Sequence, residues 1–310
     1  MSQHNPLRAL LEKQDFLLLD GAMATELEAR GCNLADSLWS AKVLVENPQL
    51  IREVHLDYYR AGAQCAITAS YQATPAGLAA RGLDEAQSKA LIGKSVELAR
   101  KAREAYLAEN PQAGTLLVAG SVGPYGAYLA DGSEYRGDYQ RSVGALQAFH
   151  RPRVEALLDA GADLLACETL PNFTEIGALA ELLTAYPRAR AWFSFTLRDS
   201  EHLSDGTPLR DVVALLAGYP QVVALGINCI ALEKTTAALQ HLHGLTALPL
   251  VVYPNSGEQY DAASKTWHHH GEHCAHLADY LPQWRAAGAR LIGGCCRTTP
   301  KDIAELNAQR

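Results

Sequence analysis

Val222-Val223-Ala224-Leu225-Gly226-Ile227-Asn228-Cys229 is a continuous apolar run that ends abruptly in a polar pair. A run without apolar/polar alternation reads as a strand covered on both faces, which is the condition of a parallel sheet under helices. Seven further runs have the same character: Phe16 to Asp20, Gln64 to Thr68, Thr115 to Ser121, Asp163 to Glu168, Ala191 to Thr196, Leu250 to Tyr253 and Arg290 to Gly293. Longer segments of helical period separate them, among them Leu50 to Arg60, Gln87 to Glu109, Thr174 to Ala185, Pro208 to Ala217, Glu233 to Leu242 and a last helix starting at Pro300 behind Thr299 as N-cap. Ala61-Gly62-Ala63, Ala160-Gly161-Ala162 and Ala287-Gly288-Ala289 each stand where such a helix must end. Pro152 is expected to break or kink the segment from Asp138 to Ala160. Eight β/α alternations predict an α/β protein of the (β/α)8 barrel type, one domain over residues 1–310. The competing doubly wound open sheet is weakened because no GxGxxG follows the first strand.

The 310 residues, 48% hydrophobic and 20% charged, are enough to bury a large core. No uninterrupted apolar run reaches the roughly 18 residues of a membrane span, and MSQHNPLRALLEKQDF lacks the order of a signal peptide, so the expectation is a cytoplasmic protein with no membrane partner. A net charge of −7 without a basic cluster argues against nucleic acid. Seven cysteines, an odd number, argue against a disulfide framework.

Three of those cysteines fall at the C-terminal ends of the sixth and eighth strands: Cys229, and the pair in Gly293-Gly294-Cys295-Cys296. In a barrel these ends share one rim. Neighbouring residues of a regular strand face opposite ways, so both sulfurs of the pair can reach one point only where the strand is irregular, and Gly293-Gly294 is the expected source of irregularity. Three thiolates suit zinc and leave a fourth position open; a vicinal disulfide or buried thiols are the alternatives. The other strand ends are polar as well: Asp20-Gly21, Thr68 with Ala69-Ser70-Tyr71-Gln72, Gly120 to Tyr125, Glu168-Thr169 and Tyr253-Pro254-Asn255. Two carboxylates on that rim would suit an amino acid's ammonium group. The stretch Trp267 to His276 places His269 and His273 at i, i+4 and His273 and His276 at i, i+3, but Gly271 interrupts it and it reads as a solvated loop. Cys32, Cys65, Cys167 and Cys274 read as structural.

In this order, the motifs Asp20-Gly21-Ala22-Met23-Ala24-Thr25-Glu26-Leu27, Thr68 to Ala73, Gly120 to Gly126, Cys167-Glu168-Thr169, Gly226 to Cys229 and Gly293 to Arg297 resemble the homocysteine S-methyltransferase family over essentially the whole chain. The resemblance implies a zinc-bearing barrel that methylates the sulfur of L-homocysteine. It implies Cys229, Cys295 and Cys296 as the zinc ligands through which the substrate thiol is activated, one ion per chain, and Glu168 as the carboxylate that receives the substrate ammonium. Asp20, Gly21, Thr68 and Gln72 match positions lining the amino-acid pocket, and Asn228 matches one that holds the Cys229 loop or touches substrate. Tyr253 to Glu258 and the Ala-Ser-Tyr-Gln loop look like the branch whose donors are the sulfoniums S-methylmethionine and S-adenosylmethionine, rather than the betaine branch. Neither a folate nor a cobalamin module fits in 310 residues. A sulfonium cation favours aromatic faces, which makes Tyr71, Tyr125, Tyr128 and Trp267 candidates for the donor side. A thiol or zinc sensor that binds without turnover is the reading from another class.

Overall fold

The computed structural model describes residues 5–36, 38–261, 263–264, 266–268 and 275–310. Eight parallel strands form one sheet: β1 (Leu17–Leu18), β2 (Cys65–Ile67), β3 (Leu117–Val122), β4 (Leu164–Leu170), β5 (Ala191–Phe195), β6 (Val222–Asn228), β7 (Leu250–Tyr253) and β8 (Ala289–Ile292). Each pairs with its neighbour in sequence order, β8 pairs with β1, and a single parallel bridge from Leu19 to Cys65 joins β1 to β2. The sheet is thus a nearly closed (β/α)8 barrel, and each of the eight expected runs supplies one strand.

Burial explains why the runs are continuous. Leu117, Ala119, Leu164, Ala166, Trp192 and Val251 fill the barrel interior, while the residues between them, such as Val118, Leu165, Phe193 and Val252, pack outward against the helices. Below the C-terminal rim both faces of the strands are therefore apolar. The glycines after three helices are left-handed, with φ of 111° at Gly62 and 91° at Gly161 and Gly288. Thr299 caps the last helix, Pro300–Asn307, accepting from the backbone N–H of Asp302. Of the break or kink expected at Pro152 the break does not occur: the helix Val143–Asp159 continues through it. Leu146, Val154 and Leu157, on either side of the proline, are all buried, and that packing outweighs the roughly 3 kcal/mol a missing N–H and a ring clash cost. Long insertions follow β1, β2, β3 and β7, all at the C-terminal rim. Among the described residues no helix is long and apolar enough to cross a membrane.

Candidate active site

At that rim the sulfurs of Cys229, Cys295 and Cys296 lie within 4.8 Å of one another. Cys229 and Cys295 are joined as a disulfide with Cα atoms 5.5 Å apart, and Cys296 is a free thiol whose Sγ stands 3.9 Å from that of Cys295. The pair formed is therefore not the vicinal one, and among the described residues no further disulfide accompanies it: Cys65 and Cys167 are free and buried, and Cys32 is free and half-buried. Cys274 lies outside the described residues, as do His269 and His273, whereas His276 caps a helix through its N–H to Asp279 and sits 3.2 Å from Glu305.

Backbone hydrogen bonds lock all three cysteines to the end of β7, the strand between them, and the loop that follows it. The N–H of Cys229 donates to Tyr253 O (3.2 Å), that of Cys295 to Pro254 O (2.7 Å), and that of Ser256 to Cys296 O (3.0 Å). The strand ends at Ile292, and Gly293-Gly294 open the irregular segment that carries the vicinal pair, as expected. Neither glycine is left-handed; the positive φ values at this rim belong to Arg297 (67°) and Cys229 (50°). The two glycines provide clearance: a Cβ on Gly293 would lie 2.6 Å from Leu19 Cβ, and one on Gly294 2.4 Å from Thr298 Oγ1.

Two buried carboxylates lie at the same rim, and one of them, Glu168, acts electrostatically on Cys296. Glu168 is buried, accepts from Ser121 Oγ (2.5 Å) and is bonded by the Tyr253 hydroxyl. Burial pushes its carboxyl up to about 7 in spite of those bonds. Asp20 accepts from Ile67 N–H (3.0 Å), and burial first, with the nearby Glu168 charge, holds its pKa well above the usual range. Buried carboxylates that resist ionisation together make a place where an arriving cation is stabilised. Gly21 leaves room beside them, since a Cβ there would lie 2.8 Å from Thr298 Oγ1 and 2.9 Å from the Tyr58 hydroxyl oxygen.

The remaining expected residues divide into those that hold the site and those that face it. Asn228 holds it: Oδ1 accepts from Thr169 N–H (2.9 Å) and Ser194 Oγ (2.6 Å), and Nδ2 donates to Thr169 Oγ1 (2.8 Å). Thr68 Oγ1 is occupied by Ser121 N–H (3.0 Å) and Ser70 Oγ (2.7 Å). Gln72 has a buried Oε1 without a partner. Tyr71 lies beside Thr169 and within the field of Glu168, and Gly123 packs so closely that a Cβ would be 2.7 Å from the tyrosine's Cδ2. Tyr125 and Tyr128 belong to an aromatic cluster with Tyr139 and Phe149, centroids 5.1 to 5.5 Å apart, and Arg141 donates to the Tyr125 hydroxyl. Trp267 lies on a short hairpin strand, Thr266–His268, and its side chain is outside the described set.

Sequence reasoning missed Arg153. This fully buried cation on the helix Val143–Asp159 donates to the carbonyls of Tyr71 (2.7 Å) and Gly123 (2.6 Å), and Nη2 also contacts His150 Nδ1 (2.9 Å), whose Nε2 meets Glu175 (2.7 Å). It therefore pins the loops after β2 and β3 together. An arginine within an ordinary helical period carries no signal of that task.

A family model described as homocysteine S-methyltransferase matches residues 17–309. The chain belongs to the homocysteine S-methyltransferase family. It is an enzyme of that class, a methyltransferase acting on homocysteine. It is 93% identical over 309 residues to the homocysteine S-methyltransferase of Escherichia coli (strain K12), with 100% of each chain covered. Its structure is similar to crystal structures of the E. coli homocysteine methyltransferase MmuM in a metallated and an oxidised form, each at TM-score 0.92 and 88% identity, over 99% of this chain and 100% of that one. The family assignment leaves a sensor without turnover no support.

Proposed function

We propose that this enzyme transfers a methyl group from a sulfonium donor, S-methylmethionine or S-adenosylmethionine, to the sulfur of L-homocysteine, giving methionine, with one zinc ion held by Cys229, Cys295 and Cys296. The observation that carries this reading is the convergence of three cysteine sulfurs on one point beside two buried carboxylates. The donor set fits the ion. Sulfurs about 2.3 Å from a tetrahedral zinc stand about 3.8 Å apart, close to the spacing of Cys295 and Cys296, and reduction of the Cys229 to Cys295 bond frees the two donors that join Cys296. A metallated form of the E. coli relative agrees with such a site. Zinc bound by three thiolates supplies a coordination position where a thiol is deprotonated at neutral pH.

The chain's own residues do the rest. Asp20 and Glu168 receive the ammonium of homocysteine, and Gly21, Thr68 and Gln72 line its pocket. Asn228, bonded on three sides, fixes the turn at Thr169 and the end of β6 from which Cys229 projects. The new carbon–sulfur bond forms as the donor's methyl–sulfonium bond breaks, the leaving electron pair stays on a neutral thioether, and no proton has to be placed on the leaving group. Positioning is therefore the main task, and Arg153 serves it by tying the β2 and β3 loops together. Thiolate ligands require a reducing compartment, so we place the protein, a single homocysteine-binding barrel over residues 1–310, in the cytoplasm. The test is methionine formation by zinc-loaded enzyme from homocysteine with S-methylmethionine, S-adenosylmethionine, glycine betaine or methyltetrahydrofolate offered in parallel. Turnover with the sulfoniums alone is expected; turnover with betaine would overturn the donor reading.

A further inference from the structure

Among the described residues, three buried side-chain atoms without a hydrogen-bond partner lie on the loops of the barrel mouth: Gln72 Oε1, Glu134 Oε2 and Asn255 Oδ1. Each is an acceptor as placed. For the two amides the assignment of O and N is exchangeable, but both oxygens of an ionised carboxylate can only accept. Glu134 is thus the decisive one, a carboxylate oxygen turned away from water with nothing donating to it. Such a group costs free energy unless a donor or cation arrives.

Its own backbone N–H and the field of Arg136 favour the charged form, but no donor reaches Oε2. The nearest cation, Arg136, is engaged with Asp131, Asp138 and Ser133 Oγ. Nor is the position slack. The Glu134 carbonyl accepts from Thr196 Oγ1 (2.8 Å), Ser133 is bonded to Asp131, and the N–H of Gly137 donates to Ser133 O (2.8 Å). The 3-10 turn Ser133–Tyr135 also seats directly on Gly126, where a Cβ would lie 2.7 Å from Glu134 N. The backbone that carries the carboxylate is thus fixed on the β3 and β5 sides of the mouth, with Glu134 itself half-buried.

Its surroundings point into the site. Glu134 acts electrostatically on the phenols of Tyr71 and Tyr135; Tyr71 also feels Glu168, and Tyr135 also feels Cys296. Glu134 therefore belongs to the same mouth as the sulfurs and the acceptor carboxylates, on the β3 side. Asp20 and Glu168 already account for one ammonium group. The second substrate, on the reading above, is also an amino acid and brings an ammonium of its own.

Resting on the sulfonium-donor reading, we propose that Glu134, walled by Tyr71 and Tyr135, receives the α-ammonium of the methyl donor and so determines donor affinity. Burial already resists ionisation of Glu134, which suits a carboxylate whose counter-charge arrives with the ligand.

The experiment is steady-state kinetics of zinc-loaded wild type, Glu134→Gln and Glu134→Asp, with S-methylmethionine and homocysteine varied in turn and zinc content measured on each. Glu134→Gln is expected to raise KM for S-methylmethionine roughly 10- to 100-fold, the range for losing one hydrogen bond between charged groups. Its homocysteine KM and zinc content should match wild type, and Glu134→Asp, which keeps the charge, should recover part of the donor affinity. An unchanged donor KM overturns the proposal. So does a rise confined to homocysteine KM, which would give Glu134 to the acceptor, or a loss of zinc, which would make it structural. Wild type that makes no methionine from either sulfonium overturns the donor reading itself and this assignment with it, a result distinct from a silent Glu134→Gln in an active enzyme.

Discussion

Glu168→Gln should make the protein more stable at alkaline pH while crippling it. In the fold the carboxyl is raised from 4.5 to about 7, chiefly by burial. A raised folded-state pKa means the native state holds the proton more tightly than the unfolded chain does. Stability is then highest below about 4.5, declines as pH rises toward 7, and stays reduced above it. At 1.36 kcal/mol per unit, the ionised carboxylate costs about 3 kcal/mol at pH 8. Glutamine is nearly isosteric and has no charge to desolvate, although it keeps only one acceptor for the Ser121 and Tyr253 hydroxyls, which trims the gain. With an unfolding entropy of about 2.1 cal/mol/K per residue, 310 residues give roughly 0.65 kcal/mol/K, so the variant should melt about 3 to 5 °C higher at pH 8. At pH 4 the difference should vanish or reverse. The assay is thermal denaturation of chelator-treated wild type and variant in one redox state at both pH values, where no dication adds to the field at Glu168. Turnover of the zinc-loaded variant should show a homocysteine KM raised by about 10-fold or more, the loss of one charge-assisted contact. A variant less stable than wild type at pH 8, or a difference independent of pH, would refute the assignment of a desolvated, ionisable Glu168.

Replacing Cys229, Cys295 or Cys296 singly by alanine should abolish both zinc retention and methionine formation with far-ultraviolet circular dichroism unchanged; full activity in a metal-free triple variant would end the zinc reading. Asn228→Ala leaves the Thr169 N–H unpaired in the core and removes two further bonds, although Ser194 keeps the Tyr253 hydroxyl at 2.9 Å. That sums to about 3 kcal/mol, or roughly 5 °C on a melting curve. Arg153→Met removes the donors that hold the Tyr71 and Gly123 carbonyls, and should lower the melting midpoint and raise donor KM more than homocysteine KM, with Arg153→Lys intermediate. Gly126→Ala forces a methyl against Glu134 N and should raise donor KM without touching zinc content, checked by the same kinetics and metal analysis.

The barrel was legible because its physics is repetitive: a strand covered on both faces must be a continuous apolar run, and eight of them leave little choice of closure. Boundaries were less legible. The run at Phe16 to Asp20 yields only Leu17–Leu18 as ladder, with Leu19 reduced to one bridge, because the chain there turns to deliver Asp20 inward. At Pro152 the helix is not broken, since local propensity yields to packing once both sides of a helix are anchored. The convergence of the three cysteines could be read because the ends of β6 and β8 share one rim. Arg153 and Glu134 could not, because their roles depend on which carbonyl or which void lies opposite them, and neither position breaks any local pattern.

The three left-handed residues at the rim show what the sequence conceals. Among the described residues four non-glycine residues have positive φ, and Thr169, Cys229 and Arg297 each adjoin or constitute a site residue. None is an asparagine, aspartate or glycine, so no turn chemistry announces them. The conformation costs of order 1 to 3 kcal/mol at each and persists only where surrounding bonds overdetermine it. Those bonds are present: Asn228 grips Thr169 from two atoms, the Tyr253 carbonyl takes Cys229 N–H, and Glu258 accepts from Arg297 Nε at 2.8 Å. At Cys229 the left-handed step redirects a side chain that the strand's alternation would have sent elsewhere, so strain at the strand ends is what turns a parallel barrel into a three-sulfur site.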